Sequence, residues 1–303
     1  MPASAAGGPE GFLILDKPPG LTSHDVVSLT RRAIGSRRVG HGGTLDPGAT
    51  GVLVVAVGRA TRLLRYVSGL DKSYVGEIVL GVTTDTLDDS GAVTGEFDMA
   101  SVGLAELQAA AVGLTGPIEQ VPPMVSAVRV AGRRLYELAR EGIEIERAPR
   151  HIVVERFEVA DHDDPGVFTI AVDCSSGTFV RTLAADLGTR VGGGAHLRHL
   201  RRTRVGPFLL GDAVPLEGLT PAQLRPVSGL VSHLDHLQVG EDDVVAVAHG
   251  QVMERRRLGA SGKGPWALFS GDQMLAVYGP VGEAKMKPDL VYHSGGEAGE
   301  PAK

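Results

Sequence analysis

The sequence predicts an α+β fold with a mixed sheet at its centre, and three features lead there. Apolar stretches of strand length alternate irregularly with helical patterns, so the regular strand–helix–strand repeat of a doubly wound fold is absent. One stretch, Val52-Leu53-Val54-Val55-Ala56-Val57, is continuously apolar and marks a buried strand, whereas Lys72–Leu80 alternates. Beyond His233 to Asp235 the pattern changes to short strands and one short helix, which sets a domain boundary between residues 234 and 235.

Residues 1–10 are small and glycine-containing, and are expected to be flexible. Residues 12–15 form a strand that Lys17-Pro18-Pro19-Gly20 breaks. Ser23 is the expected N-cap of a helix carrying Val26, Val27, Leu29 and Ile34, with Gly35 as its end signal. A glycine-rich loop, residues 40–51, precedes the buried strand, and residues 61–67 make a short helix that turns Leu63 and Leu64 inward. After the alternating strand, residues 83–95 are polar and turn-rich. Leu104, Leu107, Ala111 and Leu114 recur at helical spacing until Gly116-Pro117. Residues 120–150, rich in proline and arginine, form an excursion from the sheet with one short helix at Leu135–Arg140. Residues 152–159 and Val167–Cys174 are two strands joined by an acidic turn. A helix over residues 178–190 follows, with Val180, Leu183, Ala184 and Leu187 on one face and Gly192-Gly193-Gly194 at its end. Past the boundary come a helix at 242–249, a hairpin turning at Gly271-Asp272, and a strand at 290–292 that could close a small barrel. Residues 293–303 read as a disordered tail.

A net charge of −6 argues against a uniformly basic nucleic-acid binder, yet the charge is segregated. Basic clusters fall at residues 31–38, 129–150 and 196–204, and acids gather at 85–98, 161–164, 241–243 and in the tail. Three separate arginine clusters make an RNA-binding surface credible. The single cysteine, Cys174, cannot form an internal disulfide, and no C-x-x-C pair exists to hold zinc. No apolar run of membrane-spanning length and no signal peptide is present. These features point to a soluble, cytoplasmic protein.

The chemistry converges on Gly40-His41-Gly42-Gly43-Thr44-Leu45-Asp46-Pro47-Gly48-Ala49-Thr50-Gly51, where glycine lets the backbone approach a ligand closely. Neither the Walker pattern nor the G-x-G-x-x-G spacing fits it, which excludes the common nucleotide loops. His41 with Asp46, His196 with His199 and His233 with His236 lack the further ligands of a metal site. Asp46 is the only acid between Arg31 and Arg65. An Asp between turn residues often only caps the turn; beside cations its pKa is expected to fall, and an ionised carboxylate suits nucleophilic attack or proton abstraction. Arg181 is its candidate partner. Tyr74 and Phe179 are either core residues or platforms on which a base stacks, and His41 is either a turn residue or a wedge or phosphate contact.

The same loop resembles the catalytic motif of the TruB family of tRNA pseudouridine-55 synthases. The likeness continues through Leu15-Asp16-Lys17-Pro18, Thr22-Ser23-His24-Asp25, Lys72-Ser73-Tyr74 and Thr84-Asp85-Thr86-Leu87-Asp88. It extends through Gln120-Val121-Pro122-Pro123-Met124-Val125-Ser126-Ala127, Arg134-Leu135-Tyr136-Glu137-Leu138-Ala139-Arg140, Cys174-Ser175-Ser176-Gly177-Thr178-Phe179-Val180-Arg181, Gly194-Ala195-His196-Leu197 and Leu200-Arg201-Arg202. The resemblance implies a pseudouridine synthase fold with a mixed, largely antiparallel sheet and flanking helices. It places the catalytic domain at residues 11–234, with 120–150 as an RNA-clamping insertion, and a small β-rich PUA-like RNA-binding domain at 235–292. It also implies that Asp46 is the catalytic aspartate, that Tyr74 stacks on the flipped uracil and helps to remove the C5 proton, and that Arg181 pairs with Asp46. His41 would occupy the space of displaced nucleotides, Phe179 and Leu200 would line the uracil pocket, and Arg201 and Arg202 would contact phosphates. Many members carry tyrosine at the position of Phe179, so a hydroxyl contact there is lost while stacking survives. The expected substrate is the T-arm of tRNA, with no cofactor, no metal, no membrane and no obligatory protein partner, in a monomer.

Overall fold

Two neighbouring strands, β1 (Gly11–Lys17) and β3 (Thr50–Val57), run antiparallel from Gly11 opposite Val57 to Lys17 opposite Gly51, and both of their faces are buried. Because side chains alternate along a strand, Phe12, Ile14, Val52, Val54 and Ala56 enter one core. Leu13, Leu15, Leu53, Val55 and Val57 enter another, under helix α1 (Ser23–Ile34). This double burial is why the run 52–57 is continuously apolar. The computed structural model describes residues 8–126, 128–130 and 132–292, so the expectations for 1–7 and for the tail 293–303 lie outside it. At the described N-terminal edge Glu10 is held, its carboxylate accepting from Arg59 Nε at 3.0 Å.

The short β2 (Val39–His41) pairs with β3, and helix α2 (Leu64–Ser68) follows a 3₁₀ turn, with Leu63 and Leu64 buried as expected. Then come β4 (Lys72–Leu80), a small hairpin of Val82–Thr84 with Val93–Glu96, and α3 (Leu104–Val112). An edge strand β5 (Gly116–Gln120) begins where the sequence shows only a helix stop. The segment after it leaves the sheet, carries α4 (Leu135–Arg140), and exposes Arg129, Arg133, Arg134 and Arg140. The chain returns through β6 (Arg150–Asp161), β7 (Val167–Cys174), α5 (Val180–Arg190) and β8 (Ala195–Val205). The sheet has ten strands in the order Val214–Pro215, β1, β3, β8, β4, β7, β6, β5, with β2 and Phe208–Leu209 attached at its sides. Two contacts are parallel, β3 with β8 and β1 with Val214–Pro215. All others are antiparallel. Helices α3 and α5 cover the face of β4, β6, β7 and β8 through Leu107, Ala111, Leu183, Ala184 and Leu187.

Strand β8 corrects the sequence reading, in which residues 196–204 are a surface basic cluster. It is an inner strand, and two register shifts blur its alternation. Two of its arginines are matched by acids: Arg198 meets Glu77 on the adjacent β4 at 2.6 Å, and Arg201 reaches past β3 to Asp16 on β1 at 2.6 Å.

A second sheet has the order Asp235–Gln238, Trp266–Ser270, Gln273–Val281, Lys285–Val291, Met253–Glu254, with α6 (Glu241–Ala248) beside it. The strand holding Leu290 is an inner member of this open row and not the closing strand of a barrel. Ala267, Phe269, Met274, Val277 and Leu290 share a core with β1, β3 and α2.

Gly51 marks the tightest backbone approach between β3 and β8. It has φ +98°, and a Cβ there would lie 2.2 Å from the Arg202 carbonyl oxygen. Gly51→Ala is therefore expected to cost about 2–4 kcal/mol, read as a denaturation midpoint. Gly48→Ala, whose Cβ meets nothing within 4 Å, should stay within about 0.5 kcal/mol. Equal losses would remove the argument.

Candidate active site

The glycine-rich loop is held from below by buried donors. Arg202, 1% exposed, donates through Nε to Val52 O (2.7 Å), through Nη1 to Thr44 O (3.2 Å) and through Nη2 to Gly43 O (3.1 Å). Lys17 Nζ, also buried, donates to Pro18 O, Leu21 O and Pro47 O. Burial pulls that ammonium down to about 8, against the opposing pull of the Asp46 carboxylate. Ser23 Oγ donates to Leu45 O and accepts from Leu45 N–H at 2.8 Å. Ser23 is thus not the helix cap. Thr22 is, through a reciprocal pair of bonds with Asp25.

These clamps leave the Asp46 side chain, 45% exposed, facing a cavity of about 370 Å³. Tyr74, Phe179, Arg181, Leu200 and Arg202 line the same cavity, as do Lys72, Ser126 and Arg150. Arg181, in the first turn of α5, lies 3.0 Å from Asp46 through Nε. Its Nη1 donates to Thr86 O (2.7 Å) and stands 3.5 Å from Asp88, and its Nη2 donates to Val125 O (2.8 Å). Burial pushes the Asp46 carboxyl above its ordinary value, Arg181 opposes this, and the nearby Asp88 carboxylate adds to it. The direction is opposite to the sequence expectation: the exposed part of the side chain faces the interior of the cavity, where surrounding protein replaces bulk water, and this desolvation outweighs the cation.

Tyr74 is 8% exposed, and burial raises its phenol above the usual value while Arg202 pulls it back. At neutral pH it is a neutral hydroxyl, poorly suited to taking a proton. Phe179 is fixed by Gln120, whose Oε1 accepts the Phe179 N–H at 2.8 Å and whose Nε2 donates to the Phe179 carbonyl at 3.1 Å. Two expected site residues lie outside the cavity lining. His41 ends β2, and its Nδ1 accepts the Gly43 N–H; burial lowers its pKa. Arg201 points from the opposite face of β8 to Asp16 and Thr50. Arg202 corrects another expectation, because its guanidinium is occupied by backbone carbonyls and buried away from solvent.

The sequence reading named no separate role for Lys17, Asp88 or Gln120, and took Ser23 for a helix cap. Each sits in a motif quoted above, but nothing in its local pattern distinguishes a loop clamp from a turn residue. Among the described residues no cluster of three His, Cys, Asp or Glu side chains could hold a metal ion, and no helix is long and apolar enough to cross a membrane.

The family model described as TruB family pseudouridylate synthase (N terminal domain) matches residues 31–180, and that of the tRNA pseudouridylate synthase B C-terminal domain matches 181–237. The chain is 50% identical over 251 residues to the tRNA pseudouridine synthase B of Symbiobacterium thermophilum, covering 81% of this chain and 84% of that one. It is 42% identical over 276 residues to the protein of the same name from Heliobacterium modesticaldum, covering 89% and 90%. Among solved structures it is similar to a Cbf5-Nop10-Gar1 complex, at 26% identity and a TM-score of 0.72, over 93% of this chain and 84% of that one.

The folded Asp46 carboxyl titrates above its unfolded value, so stability falls as pH rises through the window between the two. Asp88→Asn removes the like charge that contributes to this. Carbon-detected NMR of labelled aspartate should show Asp46 titrating above ordinary aspartates, and lower again in Asp88→Asn. An Asp46 midpoint in the ordinary range would contradict the desolvation argument.

Proposed function

The chain belongs to the TruB family of pseudouridine synthases, and from that premise we propose that it isomerises the uridine at position 55 in the tRNA T loop to pseudouridine. The observation that carries this reading is Asp46, open to the cavity, held by Arg181 at 3.0 Å and set beside Tyr74. In the reaction the N1–C1′ bond breaks, the uracil turns, and a C5–C1′ bond forms. The C5 proton is lost to solvent and N1 gains one. Asp46 acts on the ribose of a flipped nucleotide, either at C1′ as nucleophile or at the C2′ proton as base. Tyr74 and Phe179 hold the uracil by stacking, worth about 1–3 kcal/mol per base, on the scale of the unstacking cost. The raised phenol of Tyr74 favours stacking and hydrogen bonding over proton removal. Leu200 supplies an apolar wall. His41, outside the cavity lining at the end of β2, takes the role of occupying the space of displaced nucleotides. The isomerisation is redox-neutral, so the reading calls for no cofactor.

Residues 11–234 act as the catalytic unit, and residues 235–292 as an RNA-binding unit seated on its sheet. The exposed arginines of the 120–150 excursion contact the T-arm backbone. Arg201, half-exposed, can meet a phosphate only by releasing Asp16, and Arg202 serves the loop. The enzyme works as a monomer in the cytoplasm without a protein partner.

Purified protein alone, given unmodified tRNA tritiated at uracil C5, should release tritium, and Asp46→Asn should slow release at least about 1000-fold. No release while tRNA still binds would leave only an RNA-binding protein, and release that requires added proteins would indicate a partner-dependent enzyme. For the surface, Arg129→Gln should reduce the slope of log affinity against log salt by up to about 0.9. Arg202→Met should leave that slope unchanged while lowering stability. A flatter slope in Arg202→Met would restore it as a phosphate contact.

A further inference from the structure

Helix α5, eleven residues long, begins without a side-chain cap. Its N-cap residue is Phe179, whose own N–H is already taken by Gln120. The N–H groups of the first turn have no partner within the helix, and the helix dipole favours a negative charge in front of them. This end of the helix opens on the cavity that Asp46 faces, since Gly177, Thr178, Phe179 and Val180 are part of its wall.

A second observation points to a ligand at the same place. Ser126 lines the cavity, is 5% exposed, and its Oγ has no hydrogen-bond partner. The Oγ1 of Thr182, also buried and in the first turn of α5, is likewise unpaired. Ser126 is fixed at its main chain, where its N–H donates to Met124 O and its carbonyl accepts from Tyr136 N–H. The preceding carbonyl, Val125 O, is gripped by Arg181. A buried hydroxyl without a partner is unfavourable, and folded proteins pair such groups with protein, water or ligand. The third component is Arg150, exposed at the start of β6, lining the cavity, and without a carboxylate in ion-pair range among the described residues.

We propose that the N-terminus of α5, the Ser126 hydroxyl and the Arg150 guanidinium form an anion subsite that receives one of the two backbone phosphates flanking the target uridine. The proposal rests on the RNA-isomerase reading above and adds what that reading leaves unspecified: how the flipped nucleotide is anchored beside its ribose. Arg181, in the first turn of the same helix, pairs with Asp46 at 3.0 Å, so the carboxylate's charge is already offset in part. A neutral group at that phosphate loses the attraction of the helix end and of Arg150, and weakens the hydroxyl bond from a charge-assisted to a neutral one.

The test uses T-arm RNA in which one or the other flanking phosphate is replaced by an uncharged methylphosphonate. With the wild-type enzyme, one of the two replacements should raise KM roughly 10-fold or more, with kcat changed far less. Ser126→Ala and Arg150→Gln should each raise KM for unmodified RNA and shrink the penalty of that same replacement, because the partner is already gone. Thermal melting confirms that both variants fold. The proposal is overturned if neither replacement raises KM, or if the penalty is as large in both variants as in the wild type. Should the wild type release no tritium from unmodified RNA, the functional reading fails separately, and the comparison is then read from filter-binding affinities with the same two outcomes.

Discussion

A single guanidinium, that of Arg202, accepts the task of satisfying three interior carbonyls, at Gly43, Thr44 and Val52. A loop with five glycines has no intrinsic shape, and carbonyls buried beneath it without donors would each cost about 1–3 kcal/mol. Arg202 supplies the donors from below and Lys17 and Ser23 from the side, so the main chain of residues 43–47 is fixed almost atom by atom. Asp46 O accepts from Ala49 N–H in the turn that follows. What the loop has left to offer the cavity is the carboxylate of Asp46.

That carboxylate stands in an environment that opposes its own charge. Burial and the Asp88 carboxylate raise its pKa, and Arg181 restrains the rise. A group chosen for stability alone would not be placed there. Perturbation of this kind, inside a cavity and beside a specific counter-ion, is typical of sites where protonation matters to chemistry.

The parts of the molecule legible in the sequence are those where one force dominates. The strand at 52–57 is apolar on both faces because two cores meet it, and Val167–Cys174 and Leu135–Arg140 fall where hydrophobic pattern alone puts them. Asp46 stood out as the lone acid of a basic segment, and Arg181 as a cation at a helix start. The central strand β8 did not stand out, because its register shifts break the alternation and its arginines look solvated unless Glu77 on β4 and Asp16 on β1 are known. Arg201 and Arg202 are indistinguishable in sequence, yet the alternation of a strand sends one to the outer face and the other beneath the loop. The sign of the Asp46 shift was illegible for a related reason: the nearby cation can be guessed from sequence, but the depth of burial cannot.

Arg181 carries a consequence beyond its pairing with Asp46. Its acceptors lie on separate stretches of chain: the glycine-rich loop, the turn at 86–88, and Val125 at the start of the 120–150 excursion. A planar guanidinium can satisfy all of them only in one orientation, so the position of the excursion and the direction of the Asp46 carboxylate are coupled through the same five N–H donors. Lysine, with three donors on a flexible stem and no fixed plane, could keep the charge but not the geometry. The arginine therefore does more than neutralise the acid: any displacement of the excursion at Val125 is transmitted through Arg181 to the Asp46 carboxylate.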